Sequence, residues 1–432
     1  MSPHSLVTLL LTFLLSVSAS PLPTLPTDPT SLLSGTGLAT DDLSTPSSPV
    51  PALSLARRFN HTGSANVLRF DQARARAMRG RAGAYPESYT SSFASSKVLN
   101  VDATSQAVSY VVSVRAPHQL LVDTGSSNTF VGAGKAFVPS STSQATTNIM
   151  QVSYGSGSFT GMQYYDQIKL ADGLVINNQS IGAASMSEGF DGVDGILGIG
   201  PIDLTCDTIV NNPDQCDYTV TDNAWNMGLL DAYEVGISFG PTQSLDEKNG
   251  ELTFGGVDRT KFHGSLKYVP LTSQSPASSY VGYEQSISYG NMGTILQHTA
   301  GILDTGTTLV LIATDAFKRY QELTGGVLDD DTELLRITPE QYGSLQNLNF
   351  RIGDNDYSLI PNAQIWPRAL NEAIGGAADG IYLIVNDIGG NSGGGLDFIN
   401  GMTFLERYYS VYDIGASRVG FAKTPYTYAE TN

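Results

Sequence analysis

Cysteine is almost missing from this chain: 432 residues contain two, Cys206 and Cys216. A small fold stapled by several disulfides is thereby excluded. In an oxidising compartment the pair would close one short loop over Asn211-Asn212-Pro213-Asp214, adding about 2–3 kcal/mol on a loop-entropy basis. A metal pair is the weaker alternative, because no other Cys and no His lies nearby in sequence. Histidine is scarce as well, and past residue 61 only His118, His263 and His298 remain. None accompanies a nucleophile-elbow string, which disfavours a Ser-His-Asp hydrolase. Apolar runs of membrane length are also lacking. The longest, residues 5–19, ends in small residues and is too short to span a bilayer, so it reads as a secretory signal cleaved after Ala19. Export to the extracellular space is the expected fate, with the vacuole as the lesser alternative.

Basic residues are few: 23 Lys and Arg against 41 Asp and Glu, a net charge of −18. The deficit is uneven. Residues 1–99 hold eight basic and five acidic residues, with seven Arg between 57 and 81, whereas residues 100–432 hold 15 basic and 36 acidic. An acidic body repels phosphate backbones and anionic lipid, so neither nucleic acid nor membrane is an expected partner. It also suits a low working pH, where protonation relieves self-repulsion. Residues 20–56 are rich in Pro, Ser and Thr and read as a linker or leader. The basic stretch after them, helical over 66–79, is expected to be a propeptide whose cations cover the acidic body until removal. Its bland reading is a solvated basic helix.

What the chain has in quantity is Gly, Tyr and short apolar runs. Forty-five Gly, 20 Pro and 21 Tyr punctuate runs too short for long helices, which predicts a mainly β protein with room for two domains. Strands are expected at Ser109–Val114, Gln119–Val122, Gln151–Tyr154, Ser158–Gly161, Tyr408–Asp413 and Arg418–Ala422. Helical spacing is confined to 222–227, 313–324 and 338–346. Trp366 reads as core rather than as part of a binding site. Asn178-Gln179-Ser180 and Asn60-His61-Thr62 are N-glycosylation acceptor sequences.

One string occurs twice. Leu121-Val122-Asp123-Thr124-Gly125-Ser126-Ser127 is matched by Ile302-Leu303-Asp304-Thr305-Gly306-Thr307-Thr308. Each copy is followed by an apolar segment ending in Gly, Ile196-Leu197-Gly198 and Phe398-Ile399-Asn400-Gly401. Internal duplication is the economical reading, and pairing the two halves would set their Asp loops face to face across a cleft. Two carboxyls held that close cannot both ionise easily, so they share a proton. One then serves as base toward a water while the other serves as acid toward a carbonyl, with no metal or cofactor needed. Gly lets the backbone turn beneath the carboxylate, and the Thr and Ser hydroxyls can orient it.

With Tyr154-Gly155-Ser156-Gly157-Ser158, Phe190-Asp191-Gly192, Gly195-Ile196-Leu197-Gly198 and Phe398 to Asp413, these strings make residues 105–425 resemble the pepsin-like aspartic endopeptidases, and among them the secreted proteases of basidiomycete fungi. A proton-sharing carboxyl dyad is the known chemistry of that family, so this mechanism comes with the resemblance. The resemblance implies a bilobal pepsin-like fold of two related β-barrel-like lobes with the active-site cleft between them. It implies residues 1–19 as signal peptide and 20–99 as propeptide, the propeptide ending between 81 and 104. The lobes would be 100–266 and 267–432. It makes Asp123 and Asp304 the catalytic dyad, supported by Thr124, Gly125, Ser126, Thr305, Gly306 and Thr307. Tyr154, Gly155 and Ser156 become the flap that binds substrate. Partners implied are protein and peptide substrates, cleaved at acid pH beside large hydrophobic side chains, and the chain's own propeptide, with the enzyme a monomer. Two positions depart from the family pattern. Phe130 stands where a Trp is usual, and the connection Val114–Gln119 is about five residues short by the usual hairpin length. A catalytically weakened binding or inhibitor-like protein on the same fold is the alternative these departures raise.

Overall fold

The computed structural model describes residues 65–80, 98–105, 110–114, 118–155 and 157–432. The expected signal, the 20–56 leader, the Asn60 acceptor, Ser156 and residues 115–117 lie outside them. Strands dominate, as the Gly-punctuated runs predicted. A 13-stranded sheet, a seven-stranded sheet and a three-stranded sheet hold the strands after residue 98.

Each Asp-Thr-Gly string joins two strands, and a later strand inserts between them. In the first half, His118–Asp123 runs parallel to Gly195–Gly198 with Asp123 opposite Gly198. Thr129–Val131 runs antiparallel to that same strand. In the second half, Thr294–Leu303 runs parallel to Phe398–Asn400, and Val310–Ile312 runs antiparallel to it. The inserted strands are the two apolar segments that end in Gly. All four residues of Gly195–Gly198 and all three of Phe398–Asn400 are buried, so their near-continuous apolar composition fits a strand covered on both faces.

The halves are not separate sheets. Tyr408–Asp413 pairs with Glu234–Ser238, and Arg418–Lys423 pairs with His263–Pro270, so C-terminal strands complete the sheet that carries the first half. Trp366 is 1% exposed and its Nε1 donates to the Leu370 carbonyl at 3.1 Å, a core residue with its polar atom satisfied. The short helices Val220–Asn226 and Pro339–Ser344 both begin with a Thr in a capping box, Thr219 and Thr338.

The basic stretch forms one helix, Ala65–Gly80. Leu, Met, Ala and Arg favour it, and Gly80 ends it. Its buried positions are Val67, Leu68, Asp71, Arg74, Ala75 and Met78, one face at helical spacing. Two of the six are charged.

Candidate active site

The two Asp loops meet as a symmetric pair. Thr124 N donates to Thr305 Oγ1 at 3.0 Å, and Thr305 N donates to Thr124 Oγ1 at 3.0 Å. Each hydroxyl passes its own proton to the opposite strand, Thr124 to the Leu303 carbonyl at 3.2 Å and Thr305 to the Val122 carbonyl at 2.9 Å. Both amides and both hydroxyls of this crossing are satisfied away from water, which fixes the loops rigidly against each other. The glycines are required by the approach. A Cβ on Gly306 would stand 2.5 Å from Asp123 Oδ1, and one on Gly125 would stand 2.7 Å from Asp304 Oδ1.

Both carboxylates are fully buried. Asp123 accepts from Gly125 N at 2.9 Å and from the Ser126 hydroxyl. Asp304 accepts from Gly306 N at 3.0 Å and from the Thr307 hydroxyl at 2.6 Å. In each, the backbone holds Oδ1 and the hydroxyl holds Oδ2. All six residues expected to support the pair are thus assembled around it.

Between the carboxylates lies the guanidinium of Arg74, 3% exposed, from the Ala65–Gly80 helix. Its Nη2 contacts Oδ1 of Asp123 and, at 3.0 Å, Oδ1 of Asp304, while Nε donates to Asp304 Oδ2 at 2.7 Å. Burial pushes the Asp123 carboxyl up, Arg74 opposes this, and the Asp304 charge adds to the rise. Burial would raise Asp304 as well, but the two-point Arg74 contact, with Thr307 and Gly306, holds it below the usual carboxyl range. Asp71, one turn earlier, accepts from Thr308 N at 3.2 Å and Leu309 N at 2.9 Å. Its burial pushes it up to about 7 despite those bonds. Further along, Gln72 donates to the Asp387 carbonyl at 2.8 Å, and Arg79 donates to the Ile388 and Leu396 carbonyls at 3.1 Å each.

Residues 111–424 match the eukaryotic aspartyl protease family. The chain belongs to that family. It is 54% identical over 338 residues to polyporopepsin of Irpex lacteus, covering 77% of this chain and 99% of that protein. Cathepsin E of Rattus norvegicus is 31% identical over 347 residues, 72% of this chain and 78% of its own. The crystal structure of the aspartic proteinase from Irpex lacteus superposes with a TM-score of 0.76 at 54% identity, covering 78% of this chain and all of that one. The protein is therefore an aspartic endopeptidase of the pepsin type, and proteins and peptides are its substrates.

In this aspartyl protease the strand Gln144–Ser153 leads straight into Tyr154. Tyr154 N donates to the Gly157 carbonyl at 2.8 Å, closing the hairpin turn. Gly155, at φ +76°, comes so near the N-terminal helix that a Cβ would stand 2.5 Å from the Ala73 carbonyl. Phe130 fills the usual Trp position with a ring stack instead of a donor. It lies 4.1 Å from Phe159, 4.9 Å from Phe190 and 5.9 Å from Tyr154, centroid to centroid. On either side of the short connection, Val114 pairs with His118, so the strand entering Asp123 keeps its register. Cys206 and Cys216 form a disulfide. Asn178 is exposed on Leu174–Glu188 at φ 57°, while Ser180 of its acceptor sequence is buried and donates to Asp217 at 2.7 Å. Among the described residues no cluster of His, Cys, Asp and Glu could hold a metal ion, and no helix is long and apolar enough to cross a membrane.

Arg74 and Asp71 were not singled out from the sequence. A signal for them exists: both interrupt the apolar stripe Val67, Leu68, Ala75, Met78 at positions that a helix of this spacing turns inward.

Proposed function

We propose that the chain is exported as a latent acid endopeptidase, that the Ala65–Gly80 helix is its propeptide, and that Asp123 and Asp304 are the catalytic pair. One observation carries the reading: a single nitrogen, Arg74 Nη2, touches Oδ1 of both carboxylates. The outer oxygens are already engaged by Ser126 and Thr307, so the two Oδ1 atoms are those a water would bridge once the guanidinium leaves. With the helix gone, the buried pair retains one proton. The ionised carboxyl takes a proton from the bridging water as its oxygen attacks the peptide carbonyl. The protonated carboxyl gives its proton to the carbonyl oxygen. On collapse the amine leaves with a proton from one carboxyl while a hydroxyl of the tetrahedral species returns a proton to the other, so the pair again holds one.

The same contacts suggest the substrate's path. Thr308 N and Leu309 N, now held by Asp71, are freed to receive a peptide carbonyl. Tyr154 and Gly155 close from the other side, and Ser156 is assigned to the same flap on its sequence. A void of about 310 Å³ between the helix and Tyr154 and Tyr280, which remain when the helix leaves, together with the Phe130, Phe159 and Phe190 rings under the flap, supports a preference for large apolar side chains beside the cut bond. Both carboxylates come from one chain, so a monomer suffices. Secretion is supported by residues 5–19 and by the disulfide, and exposed Asn178 is offered as a glycosylation site. The lobes are assigned to 100–266 and 267–432. The maturation cut is placed ahead of Leu99–Ser105, because that strand pairs with Glu247–Phe254 in the large sheet.

The test is cleavage of an acid-denatured protein by the full chain after incubation at low pH. Asp123→Asn and Asp304→Asn should each lower kcat by about 10³-fold or more, and a statine-type inhibitor should block the wild type. Retained cleavage in either variant refutes the assignment.

A further inference from the structure

The disulfide takes no part in the reaction just described, yet the loop it closes lies between two parts that do. Cys206 and Cys216 are ten positions apart. The chain between them runs antiparallel to the free edge of Gln144–Ser153, the last strand of the large sheet and the one that leads into Tyr154. Gln151 N donates to the Thr208 carbonyl at 2.9 Å, and Val210 N donates to the Ile149 carbonyl at 2.8 Å, setting Ile209 opposite Met150. Asn211 extends the cover with its side chain. Its Oδ1 accepts from Ile149 N at 3.0 Å and its Nδ2 donates to the Thr147 carbonyl at 3.1 Å.

The loop also reaches the other wall of the site. Thr208 Oγ1 accepts from Asn128 Nδ2 at 3.1 Å, and Asn128 directly follows the string Leu121 to Ser127 that carries Asp123. The Ile209 side chain is fully buried in the cluster formed by Phe130, Met150, Tyr154, Phe159 and Phe190. Thr208 and Ile209, adjacent residues, thus hold the Asp123 loop, the flap strand and the rings beneath the flap tyrosine at once.

We propose that the Cys206–Cys216 loop is the positioning element of the flap. An edge strand paired on one side only bends readily, and a covalently closed loop along its other side restrains it. Tied to Asn128, the restraint refers the flap's height to the Asp123 loop rather than to the sheet in general. Substrate then meets a flap already placed, and little ordering remains to be done on binding. The inference rests on the endopeptidase reading of this site and adds the part that sets its KM.

Two variants test it in the acid-matured full chain: Asn211→Ala, which keeps the disulfide, and the double change Cys206→Ser with Cys216→Ser. If the double variant fails to fold, Asn211→Ala alone decides. For a peptide substrate, KM should rise about three- to tenfold while kcat stays within about twofold. Amide exchange should quicken over 149–155 and stay unchanged over 294–303, the strand entering Asp304. A lowered thermal midpoint with unchanged KM and unchanged flap exchange would reduce the loop to a structural staple and overturn the inference. A loss confined to kcat would also overturn it, by placing the effect at the dyad through Asn128. Failure here leaves the catalytic assignment intact, because that assignment depends on Asp123→Asn and Asp304→Asn in an otherwise unaltered flap.

Discussion

Removing the Arg74 guanidinium should free the cleft without acid. The side chain is 3% exposed and its partners are fully buried, so Arg74→Ala leaves two carboxyls facing each other in a space with no counter-charge. Breaking a buried pair by deleting one partner costs about 3–5 kcal/mol. Part of that returns as the pair takes up a proton and water enters. A net loss of about 3 kcal/mol corresponds to about 150-fold in the ratio of docked to open helix. The pH dependence should change with it. Arg74 holds Asp304 below the usual carboxyl range, so this contribution to docking is complete above that range and is lost as pH falls below it. On the proposed reading, the wild type needs acid to remove this contribution. Arg74→Ala does not, and conversion of the full chain to its shorter form should occur at pH values where the wild type stays latent. Arg74→Lys should fall between, keeping the charge but losing the two-point contact with Asp304. The assay is conversion followed by gel and by a fluorogenic peptide across about pH 3 to 7, the range over which carboxyls titrate. An Arg74→Ala chain that stays latent, with the wild-type activation pH, would show that Asp71, Gln72 and Arg79 hold the helix and that the guanidinium does not.

Three further outcomes are expected. Asp71 is pushed up to about 7 by burial, facing the Thr308 and Leu309 amides with Asp304 and Arg74 nearby, so its contribution to docking is complete below the ordinary carboxyl range and is lost as pH rises through 7. Tryptic nicking at Arg74, Arg76 and Arg79 in the full chain should therefore quicken from about pH 6 to 8, and a rate that follows only trypsin's own pH profile refutes this. Gly306→Ala forces a methyl to 2.5 Å from Asp123 Oδ1, and by displacing the pair should cut kcat about 100-fold in a folded enzyme, checked by circular dichroism alongside kinetics. Phe130→Trp overfills a site with a ring stacked at 4.1 Å on Phe159, so the denaturant midpoint should drop by the equivalent of about 1–3 kcal/mol; an unchanged or higher midpoint counts against the packing account.

Much of this site was legible because its chemistry is local. The strings around Asp123 and Asp304 each contain the carboxylate, the amide and the hydroxyl that hold it, within four residues. The inserted strands were legible as apolar runs because they are buried on both faces. Pairings distant in sequence were not. Tyr408–Asp413 alternates as a strand should, but nothing local says that its partner is Glu234–Ser238, because register between remote strands is chosen by the whole sheet. The helix shows both sides of this. Its extent follows from composition, and the charge contrast points to a cover for the acidic body. Its action, however, is specific rather than diffuse. Arg74 reaches the carboxylates, Arg69 pairs with Glu333, Arg79 caps two carbonyls, and Arg76 is exposed.

That specificity bears on how the proposed latency would end. The atoms Arg74 occupies are the ones the proposed reaction needs, since Nη2 touches both Oδ1 oxygens and the remaining oxygens are held by Ser126 and Thr307. A docked helix and a bridging water exclude each other atom for atom, not merely by crowding. The void of about 310 Å³ beside Gly125, Ser126 and Tyr154 can admit a small ligand while the helix stays, but such a ligand meets Arg74 before it meets a carboxylate. Partial loosening of the helix ends, at Arg69 or Arg79, leaves that block in place. Activity should accordingly appear in one step, with release of Arg74, and the titrations of Asp304 from below and Asp71 from above bound the pH interval over which that step is withheld.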